Sequence, residues 1–334
     1  MNKIIQQDLQ YIIESPIIDW KRFANKTILI TGANGMLASY TVETLLYLNN
    51  EVLKDNPCTV IALVRNAEKA SKKFGENRKG LVKICQDVSS PLYNIPKVNF
   101  IIHAASLASP KYYNESPVDV LLPNIIGTKN TLALAYQFNI EGYLFFSTGE
   151  IYNHMDTLNI RSCYGESKRM GEVLCTSYHH QYKVPTKIAR IFHTYGPGMD
   201  LEGGRVFEDF VKNIINNENI ELKSDGSAIR QFCYIADATI AFFKILLDGE
   251  SGQAYDVANN SQKISVRDLA EVMVNLYPEK NLNYSFVPQD KAYLKSMTKE
   301  YIPDIYSINK LGWYPNITIE QGFKRTIESF ETNN

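Results

Sequence analysis

The chain has 334 residues, 45% of them apolar and 21% charged, which fits a globular protein and excludes a disordered, collagen-like or coiled-coil chain. Lys and Arg number 35 against 36 Asp and Glu, a net charge of −1 without the basic excess of a domain that grips a nucleic-acid backbone. No apolar run approaches the ~18–20 residues of a membrane span, and the five scattered cysteines contain no CxxC pair.

Residues 1–25 read as a helical extension. Ile4, Ile5, Leu9, Ile12 and Ile13 fall at helical spacing, interrupted by Gln6, Gln7, Asp8 and Glu14. There is no basic start, apolar core and small-residue cleavage site of a signal peptide, so the sequence predicts a cytoplasmic protein with reduced thiols. An alternating pattern follows. Short β-branched or apolar runs at 27–31, 59–64, 81–85, 100–103 and 143–147 predict strands, with helices over 36–48 and 124–138. Beyond them lie a predicted helix at 164–181 and a strand at 187–191, then helices near 206–216, 237–247 and 266–276. Continuous apolar strands separated by helices imply an α/β fold, a parallel sheet covered on both faces. No repeat or low-complexity linker divides the chain.

Three constellations carry chemistry. Gly32-Ala-Asn-Gly35 stands between a strand and a helix, where glycines let the backbone turn tightly and approach a pyrophosphate at the helix N-terminus. The carboxylate that would hold a ribose 2′-hydroxyl is absent at the end of the second strand, which reads Leu63-Val64-Arg65-Asn66. Arg65 there suits a 2′-phosphate, and equally suits stacking on adenine or plain solvation, so NAD and NADP stay open. Tyr164 and Lys168 lie four apart and share one helix face. An ammonium beside a phenol lowers its pKa and equips the tyrosine as general base toward a sugar hydroxyl. Ser147-Thr-Gly-Glu150 follows an apolar strand, so Thr148 and Glu150 face the ligand crevice. His179-His180 and the cysteines form no metal-ligand pattern, and no metal is expected.

Taken together, the chain resembles the extended short-chain dehydrogenase/reductases, the NAD-dependent epimerase/dehydratases that act on nucleotide sugars. The resemblance covers about residues 26–330. It rests on TGANGMLAS at 31–39, QDV at 86–88, HAAS at 103–106, NIIGT at 124–128, STGEIY at 147–152 and YGESK at 164–168. ARIFHTYGPG at 189–198, RQFCYIAD at 230–237 and LGWYPNITIEQGFKRTI at 311–327 extend it. LASPKYY at 107–113, RSCYGESKR at 161–169 and GRVFEDF at 204–210 are most similar to UDP-glucuronate decarboxylases.

The resemblance implies a Rossmann-like doubly wound sheet over 26–190 and a smaller substrate-binding domain, mainly 191–334 and interleaved with the first. It implies a homodimer on a four-helix bundle, NAD as cofactor and a nucleoside diphosphate sugar as partner. Carried over, Thr148, Tyr164 and Lys168 are the redox triad and Glu150 orients or deprotonates the sugar. Gly32, Asn34, Gly35, Met36, Leu37, Arg65, Asp87, Val88, Ala104, Ala105 and Ser106 are the cofactor contacts. Ser109, Tyr112, His193, Arg205 and Arg230 are the substrate contacts. Four features depart from the decarboxylase pattern: His193 in place of Asn, Gly198 in place of Arg, Tyr301-Ile302 where an arginine precedes Pro303-Asp304, and a short loop between Glu150 and Tyr164. The same core supports decarboxylation, dehydration and epimerisation. Dehydratases place an Asp-Glu pair after the threonine, whereas here Gly149 precedes Glu150, which favours decarboxylation. A non-catalytic dinucleotide-binding module is the alternative of another class, opposed by the presence of all three triad residues.

Overall fold

The computed structural model describes residues 2–152, 159–287 and 301–331. The loop between Glu150 and Tyr164 falls partly on 153–158, outside the described residues. Helix α1 (Lys3–Ile13) opens the chain, capped by Asn2, whose side-chain oxygen accepts from the Ile4 amide at 2.9 Å. Then β1 (Thr27–Thr31), α2 (Met36–Glu51), β2 (Thr59–Val64), α3 (Ala67–Phe74), β3 (Leu81–Cys85) and β4 (Phe100–His103) alternate. Helices α4 (Lys111–Glu115), α5 (Pro117–Leu122) and α6 (Thr128–Phe138) follow, the last two joined by a wide helical turn at Pro123–Gly127. Next come β5 (Gly142–Thr148), α7 (Ser162–Tyr182) and β6 (Thr186–Ile191).

The second half is made of shorter pieces: β7 (Thr194–Tyr195), α8 (Val206–Asn216), β8 (Ile220–Leu222), β9 (Ile229–Gln231), β10 (Cys233–Tyr234) and α9 (Ile235–Asp248). They continue with β11 (Ala254–Val257), β12 (Lys263–Ser265), α10 (Val266–Asn275), β13 (Tyr284–Phe286), α11 (Tyr306–Asn309) and α12 (Ile319–Glu331).

Seven strands form one sheet in the order β11-β6-β5-β4-β1-β2-β3, every pairing parallel. The order reverses between β1 and β4, and that switch point is where a crevice opens beyond the strand ends. Side chains alternate across the sheet. Leu29, Ile61, Ile101, Tyr143 and Phe145 pack on one face, and Ile28, Ile30, Val60, Ala62, Leu144 and Phe146 on the other. The strand patterning foresaw six of these seven strands. The seventh, β11, comes from well past residue 190 and pairs with β6 in register Ala254↔Ile188 to Val257↔Ile191. A four-residue strand in a mixed segment leaves too little periodicity to announce itself.

The N-terminal extension is built into the core. Leu9 and Ile12 are fully buried, and Trp20 and Phe23 stack edge-on against Phe243 of α9 at 5.1 and 5.6 Å. The Asp8 carboxylate accepts from Tyr40 of α2 at 3.0 Å, from Tyr234 at 2.8 Å and from Arg325 of α12. Asp237 plays a similar part, taking Tyr11 at 2.9 Å and the amides of Asn316 and Ile317 at 2.9 and 2.8 Å. Two buried carboxylates thus bind α1 to both halves of the chain, each with several donors that offset the cost of burial. All five cysteines are free. Among the described residues no helix is long and apolar enough to cross a membrane.

Candidate active site

A cleft of about 1060 Å³ runs along the carboxyl ends of the strands. That is at the top of the ~300–1,000 Å³ range of small-molecule sites and has room for two sizeable ligands. One end is floored by the β1–α2 turn. Gly32 holds φ at +66°, and a Cβ there would lie 2.6 Å from Ala105 Cα, so only glycine brings these two loops together. Helix α2 begins at Met36 with Gly35 as its cap and no side-chain hydrogen bond, leaving first-turn amides open toward the cleft.

Beside this turn, Thr31 ties two strand ends together. Its hydroxyl oxygen accepts from the amides of Ala104 and Ala105, both at 3.2 Å, and sits 2.7 Å from His103 Nδ1. His103 Nε2 lies 3.2 Å from the Pro123 carbonyl, which can only accept. The proton is therefore on Nε2, and Nδ1 accepts from Thr31. Burial and the nearby Lys168 charge push this imidazole down to about 3, so it stays neutral. The 104–106 loop is fixed by a ring that does not titrate near neutrality. Asn34 Oδ1 and Ser106 Oγ are buried at the cleft wall with no protein partner. Together with the Gly32 cradle and the open helix terminus, they fit a dinucleotide with hydroxyl, amide and pyrophosphate groups.

The middle of the cleft lies where β5 ends. Thr148, Tyr164 and Lys168 are all buried, the last two on one face of α7. Thr148 lies beside the Tyr164 oxygen and acts to lower its pKa, and the Glu150 amide donates to Thr148 Oγ1 at 3.2 Å. The ring of Tyr113 stacks on Tyr164 with centroids 5.3 Å apart. Lys168 does not do what its spacing predicts. Its Nζ donates to the Phe146 carbonyl at 2.6 Å and lies over the Phe145 ring, and burial lowers its pKa to about 7. Tyr164 is correspondingly not depressed: burial, then the Glu150 charge, raise it to about 12, against the pull of Arg205 and Thr148. The helical spacing puts both residues on one face, but Lys168 turns to the Phe146 carbonyl and Tyr164 responds to its burial and to Glu150.

Glu150 is itself raised by burial, with Arg205 and Arg161 acting in the opposite sense. Arg205 is anchored by Glu208 at 3.0 Å and by the Ala108 carbonyl at 2.7 Å. Its charge reaches Glu150, Tyr164, Tyr113 and His193. His193 opens onto the cleft, yet protein surrounds it closely; burial, Arg230 and Arg205 keep it far below the ordinary imidazole range. Gly149 has no room for a side chain. A Cβ there would fall 2.2 Å from Cε1 of Phe192, a buried ring that also stacks with Tyr301 at 5.9 Å.

Behind the strand end, Ser147 donates to Glu172 at 2.6 Å, Arg190 holds the same carboxylate at 2.7 Å, and Tyr152 bridges Arg190 to Asp256. This network ties the end of β5 to α7, β6 and β11.

Every residue nominated from the sequence lines this one cleft. Gly32, Asn34, Gly35, Met36, Leu37, Arg65, Asp87, Val88, Ala104, Ala105 and Ser106 line the end at β1 and β2. Thr148, Glu150, Tyr164 and Lys168 lie at the centre, and Ser109, Tyr112, His193, Arg205 and Arg230 at the far end. Ser109 is tied to the Gly203 carbonyl at 2.5 Å. Sequence reasoning missed Tyr113, Phe192, Lys69 and Lys73. Only the lysines left a local signal, four apart just after β2.

Against known proteins, the NAD dependent epimerase/dehydratase family model matches residues 28–259. UDP-glucuronic acid decarboxylase 6 of Arabidopsis thaliana is 31% identical, over 95% of this chain and 92% of its own length. UDP-glucuronic acid decarboxylase 1 of Danio rerio is 29% identical over 91% of this chain and 72% of its own. Among solved structures, an epimerase from Methanothermobacter thermautotrophicus shares the fold with a TM-score of 0.80 at 19% identity, covering 95% of this chain and 96% of its own. UDP-glucuronic acid 4-epimerase from Bacillus cereus does so at 0.76 and 18% identity, covering 92% and 100%. A glycine turn at a sheet switch point, a Thr-Tyr-Lys centre and a family match across most of the chain lead to one assignment: the protein belongs to the NAD dependent epimerase/dehydratase family.

Proposed function

We propose that the protein oxidises C4 of a nucleoside diphosphate sugar, and that the sugar is a uronate that loses its C6 carboxyl as CO2. When bound, the nicotinamide accepts a hydride from C4 and later returns it. Tyr164 takes the proton of the C4 hydroxyl as its phenolate, a form that Arg205 and Thr148 favour and that the positive charge of a bound oxidised nicotinamide would favour further. The resulting C4 ketone makes the C6 carboxylate a β-keto acid. The C5–C6 bond then breaks, CO2 leaves, and the electron pair is delocalised from C5 onto the C4 oxygen. A proton returns to C5 before the ketone is reduced. Glu150, whose burial favours the protonated form, is the group placed to hold or deliver that proton beside Tyr164. Arg205 supplies a fixed positive charge at the same spot, suited to a carboxylate and then to developing enolate charge.

One observation carries the choice of reaction. Elimination of a C6 hydroxyl needs an acid next to Glu150, and at that place Gly149 has no side chain while Phe192 fills the space. Loss of CO2 needs no acid at C6. The decarboxylase names of relatives near 30% identity point the same way. The substrate side, supplied mainly by 191–334, would hold the diphosphate with Arg230 and the sugar with Ser109, Tyr112 and His193.

The test is to supply UDP-glucuronate labelled at C6 together with NAD, and to measure labelled CO2 and a nucleotide pentose. Glu150→Gln is expected to slow release at least about tenfold, on the order of 1.4 kcal/mol. A 4-keto-6-deoxy product from a nucleoside diphosphate hexose, with no CO2 from the uronate, would restore the dehydratase reading.

We also infer a homodimer. Val118, Leu122 and Ile126 stand at four-residue spacing along α5 and the turn after it, and Tyr136 of α6 meets Tyr182 of α7 at 5.0 Å. With Met170 and Val173 of α7 they leave apolar side chains exposed on α7 and on the helical stretch that runs from α5 through the turn into α6. A second copy laid on this face would make a four-helix interface. Light scattering of the wild-type chain and of Val173→Asp tests it: a dimer is expected, and a monomer in the variant.

A further inference from the structure

Tyr113 has no part in the scheme above, yet it lies flat against the residue on which that scheme turns. It belongs to the short helix α4, is buried, and holds its ring within 17° of parallel to the Tyr164 ring, with centroids 5.3 Å apart. Ring pairs at such separations attract beyond the area they bury. Val120 of α5 and Cys163 of α7 pack into the same apolar cluster, so both rings are held among fixed neighbours.

The support is itself anchored. Tyr113 Oη donates to the Ala108 carbonyl at 3.1 Å, and Arg205 Nη2 donates to the same carbonyl at 2.7 Å. A carbonyl oxygen has two lone pairs and accepts both. Burial, then the charge of Glu150, keep the Tyr113 phenol well above its ordinary value, so it remains a donor and is no second base. Lys168, on the same face of α7 as Tyr164, is engaged by the Phe146 carbonyl at 2.6 Å, and Thr148 meets the Tyr164 phenol at its oxygen. The plane of the Tyr164 ring is left to Tyr113. The oxygen is the tip of that side chain, so a small tilt of the ring near Cβ becomes a large displacement at the atom that reacts. A misplacement of about 1 Å there costs ~10²-fold in rate.

We infer that Tyr113 is a positioning residue for the base: its ring, fixed through the Ala108 carbonyl beside Arg205, sets where the Tyr164 oxygen stands against C4 of the sugar. The inference rests on Tyr164 acting as the base in the reaction proposed above. Because one carbonyl holds both Tyr113 and Arg205, the base and the positive charge beside it keep a fixed relation to each other.

The experiment follows hydride transfer from UDP-glucuronate to NAD in a single turnover, by the absorbance of the reduced nicotinamide, alongside release of labelled CO2. Tyr113→Met fills much of the same space without a flat face, and hydride transfer is expected to slow about 10²-fold with substrate and NAD affinities unchanged. Tyr113→Phe keeps the ring and loses one neutral hydrogen bond, so its rate is expected to stay within about fivefold of wild type. In a Tyr164→Phe background Tyr113→Met is expected to add nothing, because no oxygen is left to place. If Tyr113→Met does not fold, Tyr113→Leu takes its place in both backgrounds. A wild-type rate without the ring, a loss in Tyr113→Phe as large as the loss without the ring, or a loss that persists undiminished in the Tyr164→Phe background would each overturn the positioning role. Hydride transfer in the wild-type chain without CO2 would overturn decarboxylation and leave the comparison of variants to decide the positioning role. No hydride transfer from UDP-glucuronate or from UDP-glucose would overturn the base and its positioning together.

Discussion

The two ends of the cleft are built differently. The dinucleotide end is made of backbone at consecutive strand ends: the Gly32–Gly35 turn and the Ala104–Ser106 loop, held by Thr31 and the neutral His103. The far end, where we place the sugar, is made of side chains from distant segments, with Arg205 before α8, Arg230 on β9, His193 after β6 and Tyr301 before α11. A backbone cradle is rigid and generic; a side-chain wall can be exchanged residue by residue. Changes of reaction type or substrate would therefore be made at the second end and could leave the first intact.

The sharpest way to break this contrast is at the centre, where the ends meet. Tyr164→Phe removes the proton acceptor and little contact area, so turnover is expected to fall ~10²–10⁴-fold while dinucleotide affinity holds. Near wild-type turnover would remove Tyr164 from the chemistry. The cradle comes next. Gly32→Ala sets a side chain at φ +66° against the Ala105 backbone, with an expected loss of about 1–3 kcal/mol in thermal unfolding as well as cofactor affinity. Gly35→Val meets only the Gly32 carbonyl, so the fold should survive and cofactor binding alone should weaken, readable by cofactor titration.

A third probe uses pH. Lys168 ionises near 7 in the folded chain against 10.5 ordinarily, so the folded state binds fewer protons between those values. Stability without ligand is then expected to rise with pH from about 7 toward 10, by at most about 1.4 kcal/mol per unit, and to be level below about 7 as far as this group is concerned. Lys168→Met should flatten that slope in denaturant titrations run across the range. The smallest effect is expected at the side-chain end. Arg230→Ala should raise the substrate KM about fivefold to tenfold and leave cofactor affinity alone; an unchanged KM would mark Arg230 as structural.

What the sequence made legible follows the same division. Six strands, the glycine turn and the Tyr164–Lys168 face are local patterns of period two or four, and they survive folding. The tyrosine's raised pKa is not local, because it is set by how deeply Tyr164 is buried and by Glu150. Nor is the Phe192 ring over Gly149, a contact across 43 residues that no spacing rule anticipates. β11 and α12 escaped for another reason: they are anchored by tertiary partners, β6 and Asp8, more than by their own pattern.

The Asp8 contacts carry a consequence for the order of events during synthesis. Tyr40 emerges soon after Asp8, but Tyr234 and Arg325 lie 226 and 317 residues downstream. At ~5–20 residues per second the ribosome needs roughly 15–60 s to deliver Arg325. Until α9 is made the apolar face of α1, with Leu9 and Ile12, has only α2 to lean on, and α12 arrives last of all. The first helix made is thus among the last to be fully covered, and a nascent chain stalled before α9 exposes that face to chaperones and to other nascent chains.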